Sequence, residues 1–262
     1  MNTEKVAEHI VNWLLEYATK ANVKGFVIGV SGGIDSAVTS TLCAKTGLQL
    51  LCLEMPIHQS ESQVTRAHEH IEQLKNTFKN VTSIKIDLTS SFENFKQIVP
   101  KTEPSAQVDL SLANTRARLR MTTLYYFAGL KDLLVAGTGN KIEDFGVGFF
   151  TKYGDGGVDI SPIADLVKSE VYELASYLNI SKTIQNAQPT DGLFGDDRTD
   201  EDQIGASYDE LEWAMQMKSE NKTVENFTGR ELAVYKIYSH LNNINQHKIM
   251  PIPVCIIPER LK

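Results

Sequence analysis

Apolar side chains recur along this chain with two different periods. Val6, Ile10, Trp13, Leu14 and Tyr17 fall three or four positions apart, which predicts an amphipathic helix over residues 3–19. A short apolar run follows at Gly25–Val30 (GFVIGV), then a glycine turn, then a helical pattern over residues 35–45. Leu48–Leu53 (LQLLCL) and Val81–Ile86 (VTSIKI) repeat the strand signal. Leu133–Ala136 repeats it again after a long helical stretch near residues 111–130. Ser60 with Gln63 forms a capping-box pattern that opens a helix to about Lys75. Strands alternating with helices predict an α/β fold, a doubly wound parallel sheet with helices on both faces. From Lys168 to His240 the signals are helical, so extra helices follow the sheet. They are broken by Asp191–Asp202, too long and polar for a tight turn and predicted to be a mobile loop. Pro251, Pro253 and Pro258 make the C-terminal end extended. No repeat and no Pro/Gly/Ser-rich linker divides the chain, so residues 1–262 read as one domain.

Composition and charge narrow the classes. Hydrophobic residues are 42% and charged residues 23% of 262, enough to bury a core without staples. The net charge of -7 disfavours a nucleic-acid partner, because a phosphate polymer repels it. No apolar run approaches the ~20 residues of a spanning helix. Met1–Lys20, with Glu4, Glu8 and Glu16, lacks the character of a signal peptide. Cys43, Cys52 and Cys255 form no C-x-x-C pair and read as buried, inert thiols of a cytoplasmic protein. His68 and His70 are two apart on a charged helix, so they are expected on different faces, solvated and without metal.

The candidate chemistry starts at Gly29-Val30-Ser31-Gly32-Gly33-Ile34-Asp35-Ser36, between a strand and a helix. Backbone N–H groups at a helix N-terminus suit an anion, and glycines let phosphate approach. Ser31 and Ser36 add hydroxyls. Asp35 would repel phosphate unless Mg²⁺ bridges them. The Gly-Lys-Ser/Thr ending of the kinase and GTPase loop is missing.

Three further segments stand out. In Asn114–Met121 (NTRARLRM), Arg116 and Arg120 share a helix face and Arg118 points elsewhere; alone, these also read as solvated charges. Gly137–Glu143 (GTGNKIE) follows a strand end, where Thr138 can bond a nucleotide and Glu143 can join a metal; a plain polar loop would look the same. Phe149–Asp159 (FFTKYGDGGVD) offers Lys152 as a point charge for phosphate or an oxyanion, and Lys168 lies beyond it.

The glycine segment resembles the pyrophosphate loop of the N-type ATP pyrophosphatases. With the three segments, Pro189-Thr190, Asp200-Glu201, Gly205, Tyr208-Asp209-Glu210 and His247-Lys248, the chain resembles the NAD synthetase family from Gly29 to Lys248. The resemblance implies an adenine nucleotide alpha hydrolase-like fold. It implies ammonia-dependent amidation of deamido-NAD through an acyl-adenylate, with ATP giving AMP and pyrophosphate. By it, Gly29, Val30, Ser31, Gly32, Gly33, Ile34, Asp35, Ser36, Thr138, Lys168 and Thr190 hold ATP. Asp35 and Glu143 hold Mg²⁺, and Asp35 and Lys168 are catalytic. Arg118, Lys152, Asp159, His247 and Lys248 meet deamido-NAD. A homodimer is implied, without nucleic acid, membrane or attached glutaminase domain. The loop begins at Gly29 and only Ile249–Lys262 follow Lys248, so no amidase is expected in this chain.

Two departures from the family pattern are visible. Glu54 stands before Met55-Pro56 where many relatives carry a basic residue, and Asp144-Phe145 lengthens the segment between Glu143 and Lys152. Two rivals remain. A tRNA-modifying adenylating enzyme would want a basic surface and working cysteines. A nucleotide sensor would have little use for both Asp35 and Glu143.

Overall fold

Parallel strands covered on both faces have no wet side, so each must be a nearly continuous apolar run. The computed structural model describes residues 1–190, 192–194 and 198–262. It places the strands at β1 (Gly25–Gly29), β2 (Gln49–Glu54), β3 (Val81–Lys85) and β4 (Leu133–Val135); β3, at the sheet edge, is partly exposed. All pairings are parallel and the order is β3-β2-β1-β4. The connecting helices are α1 (Thr3–Ala21), α2 (Ile34–Lys45), α3 (Glu61–Thr77), α4 (Thr89–Ile98) and α5 (Ala106–Lys131), with α6 (Lys168–Tyr177) after the sheet.

Side chains alternate along a strand, so each strand feeds two cores. Phe26, Ile28, Leu50 and Cys52 face α1, α2, α3 and α6. Val27, Leu51, Leu53 and Val135 face α4 and α5. The sheet is thus doubly wound, as the pattern predicts. After β3 the chain crosses back to set β4 on the far side of β1. The β1/β4 boundary is a switch point, and such sheets bind ligands beyond the carboxyl ends of strands there.

The remaining helices are α7 (Lys182–Gln185), α8 (Asp200–Ile204), α9 (Tyr208–Ser219), α10 (Gly229–Ile244) and α11 (Gln246–Ile249). A third apolar cluster joins Tyr208, Leu211, Val234 and Tyr238 to Ile142 and Val147. Ile142–Val147 is a π-helical turn. A π turn takes in one residue more than an α turn, and Asp144 and Phe145 lie within it. Among the described residues no helix is long and apolar enough to cross a membrane.

Several expectations need correction. Helix α3 opens after Ser60, but the Ser60 side chain caps nothing and bonds the Ser62 hydroxyl at 3.1 Å instead. Asp200–Asp202 belong not to a loop but to α8, whose first turn is closed by a capping box between Thr199 and Asp202. The expected loop's residues 191 and 195–197 lie outside the described residues. Cys43 and Cys52 are buried, and burial pushes the Cys52 thiol up to about 12 and that of Cys43 higher still; Cys255, however, is exposed. His68 is exposed, but His70 is buried against α2, with Nε2 2.9 Å from Ser40 Oγ.

The buried His70 carries a pH signature. Burial lowers its pKa to about 4, so the folded ring stays neutral in weak acid. The unfolded ring titrates near about 6.5 and binds the extra proton, so stability falls as pH drops from about 6.5 toward 4. At pH 5 the expected loss from this residue is about 2 kcal/mol relative to pH 7. Urea unfolding at the two pH values measures it. His70→Gln should shrink the difference by that amount, and an undiminished difference refutes the assignment.

Candidate active site

The segment between β1 and α2 is shaped by glycine and two serines. Gly32 has φ +80°, and a Cβ there would lie 2.6 Å from the Gln63 carbonyl oxygen, so no side chain is tolerated. Ser31 Oγ accepts from the Gly33 N–H at 3.2 Å and lies 3.1 Å from Ser36 Oγ. Ser36 Oγ donates to the Gly33 carbonyl at 2.9 Å. Gly33 is the N-cap of α2 and caps with no side chain. The first-turn N–H groups of α2 therefore stay available to an anion.

Against this loop stands a cluster of acids around one lysine. Lys168, at the start of α6, is 3% exposed. Its Nζ donates to Asp35 Oδ2 at 2.6 Å and Glu143 Oε1 at 3.2 Å. Burial alone would lower the Lys168 pKa, but Asp35 and Glu143 outweigh it and hold the ammonium charged above the ordinary lysine range. Asn140 Nδ2 donates to Asp35 Oδ1 at 3.2 Å, while its Oδ1 accepts from the N–H groups of Ile142 and Glu143. The Tyr208 hydroxyl lies 2.6 Å from Glu143 Oε1 and 3.2 Å from Asp200 Oδ2. Burial, then Glu143 and Asp200, raise that phenol, so it remains a donor.

The π turn swings Asp144 back over Gly139, where a Cβ would meet Asp144 Oδ1 at 2.2 Å. Burial and then Glu143 push the Asp144 carboxyl up to about 8. Among the described residues no three His, Cys, Asp or Glu side chains make a metal cage. Mg²⁺ does not need one. It is commonly bound by one or two carboxylates plus substrate phosphates, and Asp35 with Glu143 beside the glycine loop is that donor set.

One cavity joins these parts. Gly29–Ser36, Thr138, Glu143, Lys168 and Thr190 all line it. Thr190 Oγ1 donates to the Arg198 carbonyl at 3.0 Å and accepts from Gly192 N at 3.2 Å.

A second, basic group gathers apart from those linings. Lys152 Nζ donates to the His247 carbonyl, and Arg118 Nη2 to the Lys152 carbonyl at 3.3 Å. Lys248 Nζ donates to the Phe150 carbonyl at 2.8 Å. Asp159 does not join them. Its carboxylate accepts from Val135 N at 2.8 Å and the Tyr125 hydroxyl at 3.0 Å.

Glu54, Arg66, Arg120 and Asp200 also line the cavity, although their sequence context assigned them no role. For Arg120 the signal was its shared face with Arg116. Arg120 Nε reaches the Met55 carbonyl at 3.0 Å, and Arg116 reaches the Leu193 carbonyl.

Known proteins match this architecture along its length. The NAD synthase family profile matches residues 6–251. An NH3-dependent NAD⁺ synthetase of Mesoplasma florum is 35% identical over 249 residues, 95% of each chain. The solved NMN synthetase of Francisella tularensis is 32% identical, with a TM-score of 0.82 over 99% of both chains. The solved NH3-dependent NAD synthetase of Campylobacter jejuni is 27% identical, with a TM-score of 0.76 over 98% of this chain and 100% of that one. With the glycine loop, the Asp35–Lys168–Glu143 cluster and the switch-point cavity in place, this chain belongs to the NAD synthase family.

Proposed function

We propose that the chain is an NH3-dependent NAD⁺ synthetase that amidates the nicotinate carboxylate of deamido-NAD with ammonia, at the expense of ATP. The observation that carries the reading is the meeting of Asp35, Glu143 and Lys168 beside the glycine loop, from three separate segments. In this reading Gly29–Ser36, Thr138 and Thr190 hold ATP. The N–H groups of α2 take its phosphates, where developing charge needs donors already in place. Asp35 and Glu143 would hold Mg²⁺, which when bound neutralises phosphate charge. Lys168 stays protonated and orients both carboxylates while adding its own positive charge.

The substrate carboxylate attacks the α phosphorus, the α–β bridge breaks, and pyrophosphate leaves with the electron pair. Ammonia then attacks the acyl carbon, loses a proton to solvent, and displaces AMP. Arg118, Lys152, His247 and Lys248 form the basic group that meets the dinucleotide. Asp159, held by Val135 and Tyr125, supports the loop end. A homodimer belongs to this reading. Tyr126 and Leu130 on α5 and Ile252, Val254 and Ile256 near the C-terminus are exposed apolar side chains of the kind a second copy covers. We place the chemistry in the cytoplasm, where thiols such as Cys43 and Cys52 stay reduced.

A second reading keeps the chemistry and shortens the acceptor to nicotinate mononucleotide, giving NMN. It rests on the structural likeness to the NMN synthetase, whose TM-score is 0.82 against 0.76 for the Campylobacter enzyme, although the Mesoplasma NAD⁺ synthetase is more similar in sequence, at 35% against 32% identity. One assay separates the readings. Amide product and AMP are measured with each acid nucleotide, using ammonium or ammonia-free glutamine. The first reading expects deamido-NAD and ammonium to be the best pair by kcat/KM. A preference for the mononucleotide replaces it with the second. Equal rates with glutamine from the pure chain refute ammonia dependence, and no AMP with either acid refutes both.

A further inference from the structure

Glu54 is a buried acid in the lining of the cavity. It ends β2 and is 6% exposed. Its Oε1 is 3.5 Å from His68 Nδ1, a weak contact, and its Oε2 is buried without any hydrogen-bond partner among the described residues. A buried acceptor left unmade costs roughly 1–3 kcal/mol, and more for a charged group. Thr39 Oγ1 and His70 Nδ1 also lack a partner among the described residues but lie in the core, whereas this atom belongs to a residue lining the glycine-loop cavity, where a ligand would supply the donor.

The strand register says which part of a ligand comes near. Gly29 of β1 pairs with Leu53 of β2, and the Val30 N–H donates to the Leu53 carbonyl at 3.0 Å. Adjacent strands are about 4.8 Å apart, so Glu54 leaves β2 directly beside the start of the glycine loop. Gln63, Val64 and Ala67 of α3 close over the same space and line the same cavity. A nucleotide with its phosphates on the first turn of α2 has its sugar next to them. In dinucleotide-binding sheets an acid at the end of the second strand, about 20 residues past the glycine turn, takes a ribose hydroxyl. Glu54 holds the equivalent place in strand order and spacing. An acid here also suits a hydroxyl better than a phosphate, which it would repel.

We propose that Glu54 reads the ribose diol of ATP, its free Oε2 accepting a hydrogen bond from a sugar hydroxyl. The inference rests on the reading that this cavity holds ATP. The carboxylate would thereby select nucleotides that carry that hydroxyl.

The test compares ATP with 2′-deoxy-ATP, 3′-deoxy-ATP and purine riboside triphosphate, which lacks the 6-amino group. The readout is kcat/KM for AMP formation in the wild type, Glu54→Gln and Glu54→Leu. At least one deoxy analogue should be worse than ATP by about tenfold or more in the wild type, the scale of a hydrogen bond to a charged group. Glu54→Leu should abolish that ratio by losing activity with ATP alone, and Glu54→Gln should retain part of it. Wild-type activity with both deoxy analogues equal to that with ATP overturns the proposal, whatever the variants do. So does an undiminished ratio in Glu54→Leu. A loss confined to purine riboside triphosphate and erased in Glu54→Leu would mean that the carboxylate reads the base, which also overturns it. Absence of ATP cleavage by the wild type would instead overturn the underlying reading, and is distinguishable because no analogue ratio then exists.

Discussion

Asp35→Asn lowers turnover by at least about 10²-fold, the scale for losing a preorganised electrostatic group where charge develops. Asp35 is the one acid in the segment Gly29–Ser36, and its two oxygens are held from opposite sides by Lys168 and Asn140. Asparagine is nearly isosteric and still offers one oxygen to Lys168, so the loop keeps its shape. What disappears is the negative charge facing the phosphates. With it goes half of the carboxylate pair that would hold Mg²⁺. The measurement is AMP formation at saturating ATP across a magnesium series. The variant should need far more Mg²⁺ and still not recover. Near-normal turnover at ordinary Mg²⁺ rules the role out.

The sheet was legible because burial on both faces leaves a continuous apolar run in β1, β2 and β4, while the edge strand β3 shows only a partly apolar pattern at Val81 and Ile84, with Ile86 just past it. Helix α4 was not, because Phe92 is its only buried residue and one residue makes no period. The π turn has no compositional mark, since its residues Ile142–Val147 read like any other turn after a strand. His70 shows a signal that was present and unused. Ala67, Ile71 and Leu74 are the buried stripe of α3, and His70 stands within it. Different faces for His68 and His70 were read correctly, but not that one of those faces was the core.

The candidate site was legible in pieces and not as an arrangement. Each of Asp35, Glu143 and Lys168 sits in a recognisable segment, yet only the crossing from β3 back to β4 brings the segments together. Tyr208 and Asp200 were visible as motif residues without a task. The bonds from the Tyr208 hydroxyl to Glu143 and to Asp200 exist only once α8 and α9 pack on the π turn. Asp159, which the family resemblance places near the substrate, accepts from the backbone of β4 and from Tyr125, a partner set the sequence does not show.

Lys168→Met should be the most damaging single change, because it harms folding and chemistry by separable routes. Its ammonium is 3% exposed, while the Asp35 and Glu143 side chains are each 17% exposed. Removing the cation leaves two carboxylates close together with no counter-charge. Breaking a buried pair from one side costs roughly 3–5 kcal/mol, and the partial exposure of the acids points to the lower figure, about 3. Turnover should fall by about 10²–10³-fold, since a charge next to the transferring phosphate is lost as well. Urea unfolding reads the first effect and AMP formation by the folded fraction reads the second. The double variant Lys168→Met with Asp35→Asn tells them apart. Removing one of the two orphaned charges should recover part of the stability, a non-additivity expected of groups in direct contact. It should recover none of the activity. If the double variant is no more stable than Lys168→Met alone, the ion pair is not what holds this cluster. If Lys168→Met keeps turnover near that of the wild type, the lysine is structural and the catalytic role assigned to it is wrong.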